Sequence, residues 1–382
     1  MVLQASGPNA LGIVRSLGRA GVRVIACDHD PQALGLLSRH ATPAHTADPL
    51  TEPDRFVDDL LALGRGEAGG VLFPTHDEAI AAIGPREAEV DAVFARPWSP
   101  WERMRRLIDK GHQHAVAREI GFPVPATVEP EDEGDIVAAA AQLRFPVVLK
   151  PRYAPEFRRR FRVQVLEAGD AEELRRQWSL AAEYRPQVSE VIPGGDDRLW
   201  TLGSYRDTRG RRLASFTGRK LRQWPPRFGT ARAAEARWDP DYADRCHALL
   251  DALGFHGISQ VETKRDPRDG RDYLIEVNPR SWLWVGLATA AGVNLPYVAW
   301  RDMAGLPAAL PPGHRSGLRW ILATKHLGGS PREIRRGEWT WREFAGTVRP
   351  PWVDGVLDPR DPRPAMALYG RNLRRIRRRP GG

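Results

Sequence analysis

The sequence predicts an α/β domain at the N-terminus, followed by a larger α+β region. Near the N-terminus, "ALGIVRSLGRAGVRVIAC" (10–27) predicts helix, glycine turn and strand, and "AGGVLFPTHDEAIAAIG" (68–84) predicts strand and helix. Strands that alternate with helices are typical of a parallel sheet. Further along, "GISQVETKRDPRDGRDYLIEVNPR" (257–280) predicts an antiparallel hairpin with "DPRDG" as its turn.

The domain boundaries follow from length and from one helix start signal. The chain has 382 residues, which suggests roughly two to three domains. In "PWSPWERM" (97–104), Ser99, Pro100 and Glu102 suit the N-cap, N1 and N3 positions of a helix that we expect to end at Gly121. We therefore assign residues 1–98 to the α/β domain, 99–305 to the α+β domain and 306–382 to a Pro- and Arg-rich C-terminal extension.

Composition narrows the classes of protein that fit. The net charge is +9 and comes mainly from arginine, which favours anionic partners such as nucleotides. The apolar runs are too short to span a bilayer, and the first residues lack the pattern of a signal peptide, so we expect a cytoplasmic protein. Cys27 and Cys246 fit neither a disulfide framework nor a metal site, and we expect both to be buried.

The predicted hairpin brings oxygen ligands together. Glu262 and Glu276 are about equally distant from the turn, so they should face each other across the two strands, with Asn278 on the same face. Two acids in that arrangement repel each other, so something cationic should lie between them. Because all three candidate ligands are oxygens, the sequence predicts a site for Mg²⁺, with Mn²⁺ as an alternative.

Other stretches suit a nucleotide. Lys150 ends the buried strand "FPVVLKPR" (145–152), and Lys110 lies in a predicted helix. In "SEVIPGGDD" (189–197), Glu190 could accept from an adenine amino group beside apolar Val191 and Ile192. Asp196 or Asp197 could accept from ribose hydroxyls, and Asp197 is retained as the candidate.

These motifs, taken in order along the chain, resemble those of the ATP-grasp superfamily. Lys110, Lys150, "SEVIPGGDD", Glu262 and "IEVNPR" carry the resemblance, which covers about residues 1–305 and is closest to the predicted carboxylate–amine ligase branch. It implies an N-terminal pre-ATP-grasp domain and an ATP-grasp fold of two α+β subdomains, one of them a lid at about 120–190. It also implies ATP on the two lysines and on the 190–197 segment, Mg²⁺ on Glu262, Glu276 and Asn278, and Arg280 on the transferred group.

One stretch departs from the pattern of the superfamily. Many members follow the lysine strand with a glycine-rich loop over the phosphates, whereas this chain has "RYAPEFRRRFRV" (152–163). Its arginines could cover the phosphates, bind an anionic substrate or lie in solvent; they are Arg158, Arg159, Arg160 and Arg162. The basic stretch "GRNLRRIRRRPGG" (370–382) is typical of a solvated tail.

The resemblance implies an enzyme that joins a carboxylate to an amine through an acyl phosphate. Charge neutralisation dominates such chemistry, and Arg280 and Lys220 are the candidate catalytic residues. His76 and Asp77 follow a parallel strand, where α/β domains bind ligands, and are candidate substrate contacts. Thr75 and Glu78 beside them suit a helix capping box. The expected partners are a small-molecule carboxylate and an amine, and the sequence leaves a homodimer open.

Three other functions remain as alternatives. An ATP-grasp carboxylase or phosphotransferase would use the same nucleotide half with another acceptor. A nucleic-acid-binding protein should place aromatic platforms beside its arginines, and the basic tail has none. A nicotinamide oxidoreductase is disfavoured because "SGPNALG" (6–12) lacks the full dinucleotide fingerprint.

Overall fold

The computed structural model describes residues 1–151, 154–307 and 314–377. The N-terminal domain contains a parallel sheet of four short strands in the order β3-β2-β1-β5, and β4 pairs with β6 in a second parallel pair. The strands are β1 Val2–Leu3, β2 Ile25–Asp28, β3 Thr42–His45, β4 Gly70–Val71, β5 Phe73–Pro74 and β6 Phe94–Ala95. The helices are α1 Pro8–Arg19, α2 Pro53–Gly66, α3 Asp77–Ile83 and α4 Glu87–Asp91. The predicted parallel α/β domain is confirmed.

The middle of the chain forms a small subdomain, which we call the lid. Its antiparallel sheet has the order β7-β10-β8-β9. The elements from the boundary onward are α5 Trp101–Leu107, α6 Lys110–Glu119, β7 Thr127–Val128, α7 Glu133–Gln142, β8 Val147–Lys150, α8 Ala154–Phe161, β9 Leu166–Ala168, α9 Ala171–Ala181 and β10 Gln187–Glu190. Apolar residues of α7, α9 and one sheet face form a separate core.

The remainder builds a seven-stranded sheet in the order β15-β14-β11-β12-β13-β16-β17. Its strands are β11 Leu199–Arg206, β12 Arg212–Trp224, β13 Thr230–Ala236, β14 Gly257–Arg265, β15 Asp272–Asn278, β16 Arg319–Ile321 and β17 Trp352–Asp354. Its helices are α10 Pro240–Ala252, α11 Val285–Ala290, α12 Leu295–Met303, α13 Ala323–Arg335, α14 Trp341–Thr347 and α15 Arg363–Arg377. The C-terminal extension thus supplies two strands to the sheet.

The N-terminal domain and the long sheet share a core. Val14 and Leu17 of α1 belong to one buried cluster with Trp282, Trp284 and Leu287. Helices α1 and α11 approach closely at Gly12, where a Cβ atom would lie 3.2 Å from the amide nitrogen of Gly286. The contact fixes the N-terminal domain against the segment that follows β15.

The predicted boundary helix is wrong in detail. Pro100, not Ser99, is the N-cap of α5, and the Ser99 side chain lies within hydrogen-bonding distance of His256. The helix does not continue to Gly121, because Asp109 caps a second helix, α6, by accepting from the Gly111 amide. Lys110 is therefore the first residue of a helix. Cys27 and Cys246 are buried, as predicted.

Candidate active site

The hairpin of β14 and β15 has the predicted register. Glu262 pairs with Glu276 and Gln260 pairs with Asn278, with a bulge directly after Glu262. Strand alternation places these four side chains on one face of the sheet. The prediction that the two acids oppose each other is confirmed.

Two lysines neutralise the opposed acids. Lys220 Nζ lies 2.7 Å from Glu262 Oε1, and Lys110 Nζ lies 2.8 Å from Glu276 Oε2. The Lys220–Glu262 side chains are only 8% and 10% exposed, whereas the Lys110 side chain is half exposed. Lys110 holds the pKa of Glu276 well below its usual range, and burial raises the pKa of Glu262 in spite of Lys220. In this structure, the positive charge that the two opposed glutamates require comes from Lys110 and Lys220.

The donor set fits a hard divalent cation. Asn278 Nδ2 donates to Glu276 Oε1 at 2.9 Å and to Gln260 Oε1 at 3.2 Å, and its own Oδ1 accepts from Arg280 at 3.2 Å. The amide nitrogen of Asn278, rather than its oxygen, therefore faces the Glu276 carboxylate. Within the described ranges, no group of three acids, histidines or cysteines is placed to hold a metal. Carboxylate and amide oxygens, as in Glu262, Glu276 and Asn278, are of the kind that Mg²⁺ prefers.

Arg280, which follows β15, connects this end of the hairpin to the N-terminal domain. Its Nε donates to Asp77 Oδ1 at 2.8 Å, and its Nη1 donates to the Ser281 carbonyl at 3.0 Å. The structure therefore brings the two candidates Arg280 and Asp77 into direct contact, although 203 residues separate them. His76 adjoins them as the N-cap of α3.

The capping box expected from Thr75 and Glu78 is absent. His76 is the N-cap of α3, and the Thr75 hydroxyl donates to the carbonyls of Leu3 and Gln4. The hydroxyl is therefore used to join β5 to the loop after β1. His76 Nδ1 lies 2.8 Å from the same hydroxyl.

Lys150 lies on the lid face that is opposite the lid core. It ends β8 and pairs with Gln187 of β10, while Val147 and Leu149 point into the core. Burial, with a further contribution from the charge of Lys110, lowers the pKa of Lys150 to about 8. The like charge of Lys110 thus adds to burial in disfavouring the charged form of Lys150.

In the segment at the end of β10 and after it, some side chains are buried or hydrogen-bonded within the protein, and others are exposed. Glu190 pairs with Val147, so it lies on the face opposite Lys150, and its Oε1 accepts from the Arg144 amide at 2.9 Å. Ile192 is buried and Val191 is half-buried. Asp196 accepts from both the backbone and the side chain of Gln223.

Asp197 is exposed, whereas Asp196 is half-buried.

The arginine-rich stretch is a helix rather than a loop. Helix α8 spans Ala154–Phe161, and Arg159 and Arg160 are exposed on it. Residues 152 and 153 lie outside the described residues. The lid is tied to the long sheet elsewhere, because Arg227 lies 2.5 Å from Glu167 of β9.

Sequence reasoning missed three residues at the site. Gln260 shares the face of Glu262, two positions away on the same strand, and that spacing could have revealed it. Gln113 and His114 of α6 contact the backbone of β15. No local pattern indicated them, because their partners lie more than 150 residues further along the chain.

Comparisons with known proteins agree with this architecture. The chain is 24% identical over 318 residues to D-aspartate ligase of Enterococcus faecium, covering 77% of this chain and 74% of the relative. It is 27% identical over 298 residues to a formate-dependent phosphoribosylglycinamide formyltransferase of Burkholderia pseudomallei, covering 73% and 68%. No family model matches the chain.

A solved structure with the same fold is the biotin carboxylase domain dimer of 2-oxoglutarate carboxylase from Hydrogenobacter thermophilus. That structure contains MgADP, ADP and bicarbonate. The TM-score is 0.62 at 16% identity, covering 83% of this chain and 72% of that one.

An α/β domain, a small antiparallel lid and a long sheet that carries the opposed acids define the ATP-grasp architecture. The chain has the fold of solved ATP-grasp structures, and the relatives it is similar to are ATP-grasp proteins of the carboxylate–amine ligase type, as its motifs predict. Within the described ranges, no helix has the length and apolar character to cross a bilayer.

Proposed function

We propose that the protein joins a carboxylate to an amine at the expense of ATP, through an acyl phosphate. The observation that carries the proposal is the convergence of Lys110, Lys220 and Arg280 on the two strands that bear Glu262 and Glu276. Four basic groups, counting Lys150, suit a triphosphate and a phosphoryl group in transfer.

The nucleotide is expected between the lid and the long sheet. Lys110 and Lys150 would contact its phosphates, and the backbone and apolar side chains of 190–192 would contain the adenine, with Asp197 on the ribose. The Glu190 carboxylate lies on the face of the lid sheet opposite Lys150. Glu190 would therefore contact the adenine through its backbone groups rather than through its carboxylate. Glu262, Glu276 and Asn278 would hold Mg²⁺, which supplies charge neutralisation on the phosphates when bound.

The chemical steps then follow from charge. A substrate carboxylate oxygen attacks the γ-phosphorus, the bond to the β-γ bridging oxygen breaks, and ADP leaves. An amine attacks the acyl carbon, phosphate leaves and the amine loses a proton. Arg280 would stabilise the transferred phosphoryl group, and Lys220, held by Glu262 and within 3.4 Å of Gln223, would stabilise charge on the acyl oxygen.

His76 and Asp77 would contact the substrate. They lie at the carboxyl end of β5, beside Arg280, where an acid or an amine could reach the phosphoryl group. D-Aspartate is the first carboxylate to test, because one relative is a ligase for it.

The test is a screen for phosphate release with ATP, Mg²⁺ and paired carboxylates and amines, followed by mass spectrometry of the product. Glu276→Gln serves as the inactive control, because the metal loses a charged ligand. Amide formation by the wild type alone supports the proposal. Release of phosphate that depends on bicarbonate, without an amide product, would instead identify a carboxylase. The homodimer that the sequence leaves open is tested by light scattering of the same preparation.

A further inference from the structure

Strand β15 has one edge that no strand covers. It is the first strand of the seven-stranded sheet, so among the described strands only β14 pairs with it. The peptide groups on its other edge need partners of their own. This matters because Glu276 and Asn278 both lie on β15.

Gln113 of α6 supplies partners at the residue between those two side chains. Its Oε1 accepts from the Val277 amide at 2.7 Å, and its Nε2 donates to the Val277 carbonyl at 2.7 Å. The side-chain amide thus pairs with a peptide group at both points, as a neighbouring strand would. Nε2 also donates to the Leu107 carbonyl at 2.6 Å, and Gln113 is only 2% exposed.

Two further residues of α6 hold the positions before Val277. Lys110 contacts the Glu276 carboxylate, and His114 lies beside the backbone of Ile275. Residues 110, 113 and 114 lie on one face of a helix because their spacing is three and four. One helical face therefore contacts three consecutive residues of β15, at a place where the inner edge carries a bulge.

We propose that Gln113 is a positioning residue for the metal site, which fixes the end of β15 so that Glu276 and Asn278 meet Glu262 in a geometry that binds a divalent cation. The inference rests on the proposed function. The Gln113 side chain bonds to the backbone of Leu107 and Val277, so its effect on the ligands is exerted through the Val277 peptide. Residues that orient metal ligands typically contribute about 10- to 100-fold in metal affinity.

The test compares Gln113→Met with Thr263→Val. Methionine keeps the length and loses both contacts to Val277. Thr263→Val is the matched control, because it removes one fully buried hydrogen bond, from Thr263 to Tyr242, on the neighbouring strand. Mn²⁺ binding is measured by electron paramagnetic resonance with a non-hydrolysable ATP analogue present, and analogue binding is measured by calorimetry in EDTA.

We expect Gln113→Met to weaken Mn²⁺ binding about 10- to 100-fold while metal-free analogue binding stays at the wild-type value. Thr263→Val should lose thermal stability and keep wild-type Mn²⁺ affinity. Wild-type Mn²⁺ affinity in Gln113→Met, or an equal loss in both variants, would overturn the proposal. If Gln113→Met does not fold, Gln113→Glu keeps the acceptor for the Val277 amide and should show a smaller loss of Mn²⁺ affinity.

The wild type separates this inference from the proposed function. If wild-type protein binds neither the analogue nor Mn²⁺, the assignment of the nucleotide site is wrong. If wild-type protein binds both and Gln113→Met binds both equally well, only the role of Gln113 is wrong.

Discussion

The two opposed glutamates differ in how firmly each is paired. Glu262 and Lys220 are both buried, so separating them would leave an uncompensated charge in a place that water scarcely reaches. Glu276 is paired with the half-exposed Lys110, whose interaction is weakened by solvent. The Lys110–Glu276 ion pair is therefore the one that a nucleotide and its metal would separate more easily.

The first prediction concerns metal binding without nucleotide. Lys110→Met should raise the affinity of the nucleotide-free protein for Mn²⁺, because Glu276 loses the cation that neutralises it. The measurement is a Mn²⁺ titration by electron paramagnetic resonance in the absence of ATP. Lys325→Met, a lysine substitution on α13, is the control and should leave the titration unchanged. Weaker Mn²⁺ binding in Lys110→Met would show that the lysine does not compete with the metal.

The second prediction concerns the pH dependence of ATP binding. The pKa of Lys150 is lowered to about 8, so its charge is lost as pH rises through that value in the free protein. Since the charged form binds phosphate, affinity for ATP should fall above about pH 8. Lys150→Arg should remain charged and move the fall to higher pH, and Lys150→Met should bind weakly with no such step. A wild-type profile that is flat to pH 10 would contradict the assignment.

The third prediction concerns the chemical step. Arg280 is held by Asp77 and by the Ser281 carbonyl, so its planar fork is oriented before substrate binds. Arg280→Lys should lower turnover about 10²- to 10³-fold with a small change in ATP affinity, because the charge it meets develops during the reaction. Steady-state turnover and calorimetry with ATP measure the two quantities. A variant that loses ATP affinity and keeps its maximal rate would assign Arg280 to nucleotide binding.

At the scale of elements, the hairpin was predictable and helix α6 was not. The hairpin places a turn sequence between two strands, so counting from the turn was enough to pair Glu262 with Glu276. The break between α5 and α6 has no proline or glycine before it, and its signal is the single cap Asp109. A cap inside a helical pattern is weak evidence alone, because aspartate also occurs within helices.

The C-terminal strands were unpredictable for a different reason. Strands β16 and β17 have three residues each, too few for alternation to be recognised. Strand β16 forms on the edge of the longer strand β13, and β17 then forms on the edge of β16. The arginine-rich helix α8 was expected to be a loop because the family resemblance places a loop directly after the lysine strand.

The whole molecule is held together by contacts between distant parts of the chain. Arg15 of α1 donates to the Asp361 side chain at 2.9 Å and to the Val356 carbonyl at 2.8 Å. The Ser38 hydroxyl and the Arg39 amide also donate to the Asp361 carboxylate. Asp361 is fully buried, so the residues after β17 are anchored in the N-terminal domain. Sequence reasoning identified neither partner, because an isolated Arg or Asp gives no sign of burial.

The last prediction separates this anchor from the basic tail. Asp361→Ala leaves Arg15 buried without its charged partner, although the Val356 carbonyl still accepts from it, and such losses typically cost about 3–5 kcal/mol of stability. Burial acts against ionisation of Asp361, yet hydrogen bonds from Arg39, Ser38 and Arg15 keep its pKa below the usual value. Its contribution to stability is therefore present above the unfolded-state pKa and is lost as pH falls through the folded-state pKa. The urea midpoint of the wild type should therefore fall more steeply on acidification than the urea midpoint of Asp361→Ala.

Removing residues 372–382 should have neither effect. The truncation keeps Asp361 and also Arg371, whose Nη1 donates to the Gln32 carbonyl at 2.9 Å, and the tail is far in sequence from the motifs. Turnover and urea midpoint should match wild type, whereas Asp361→Ala should lower the midpoint even with ATP present.

A folded truncation with strongly reduced turnover would show that the basic tail reaches the active site or a required partner. A wild-type midpoint in Asp361→Ala would show that the anchor contributes nothing to stability.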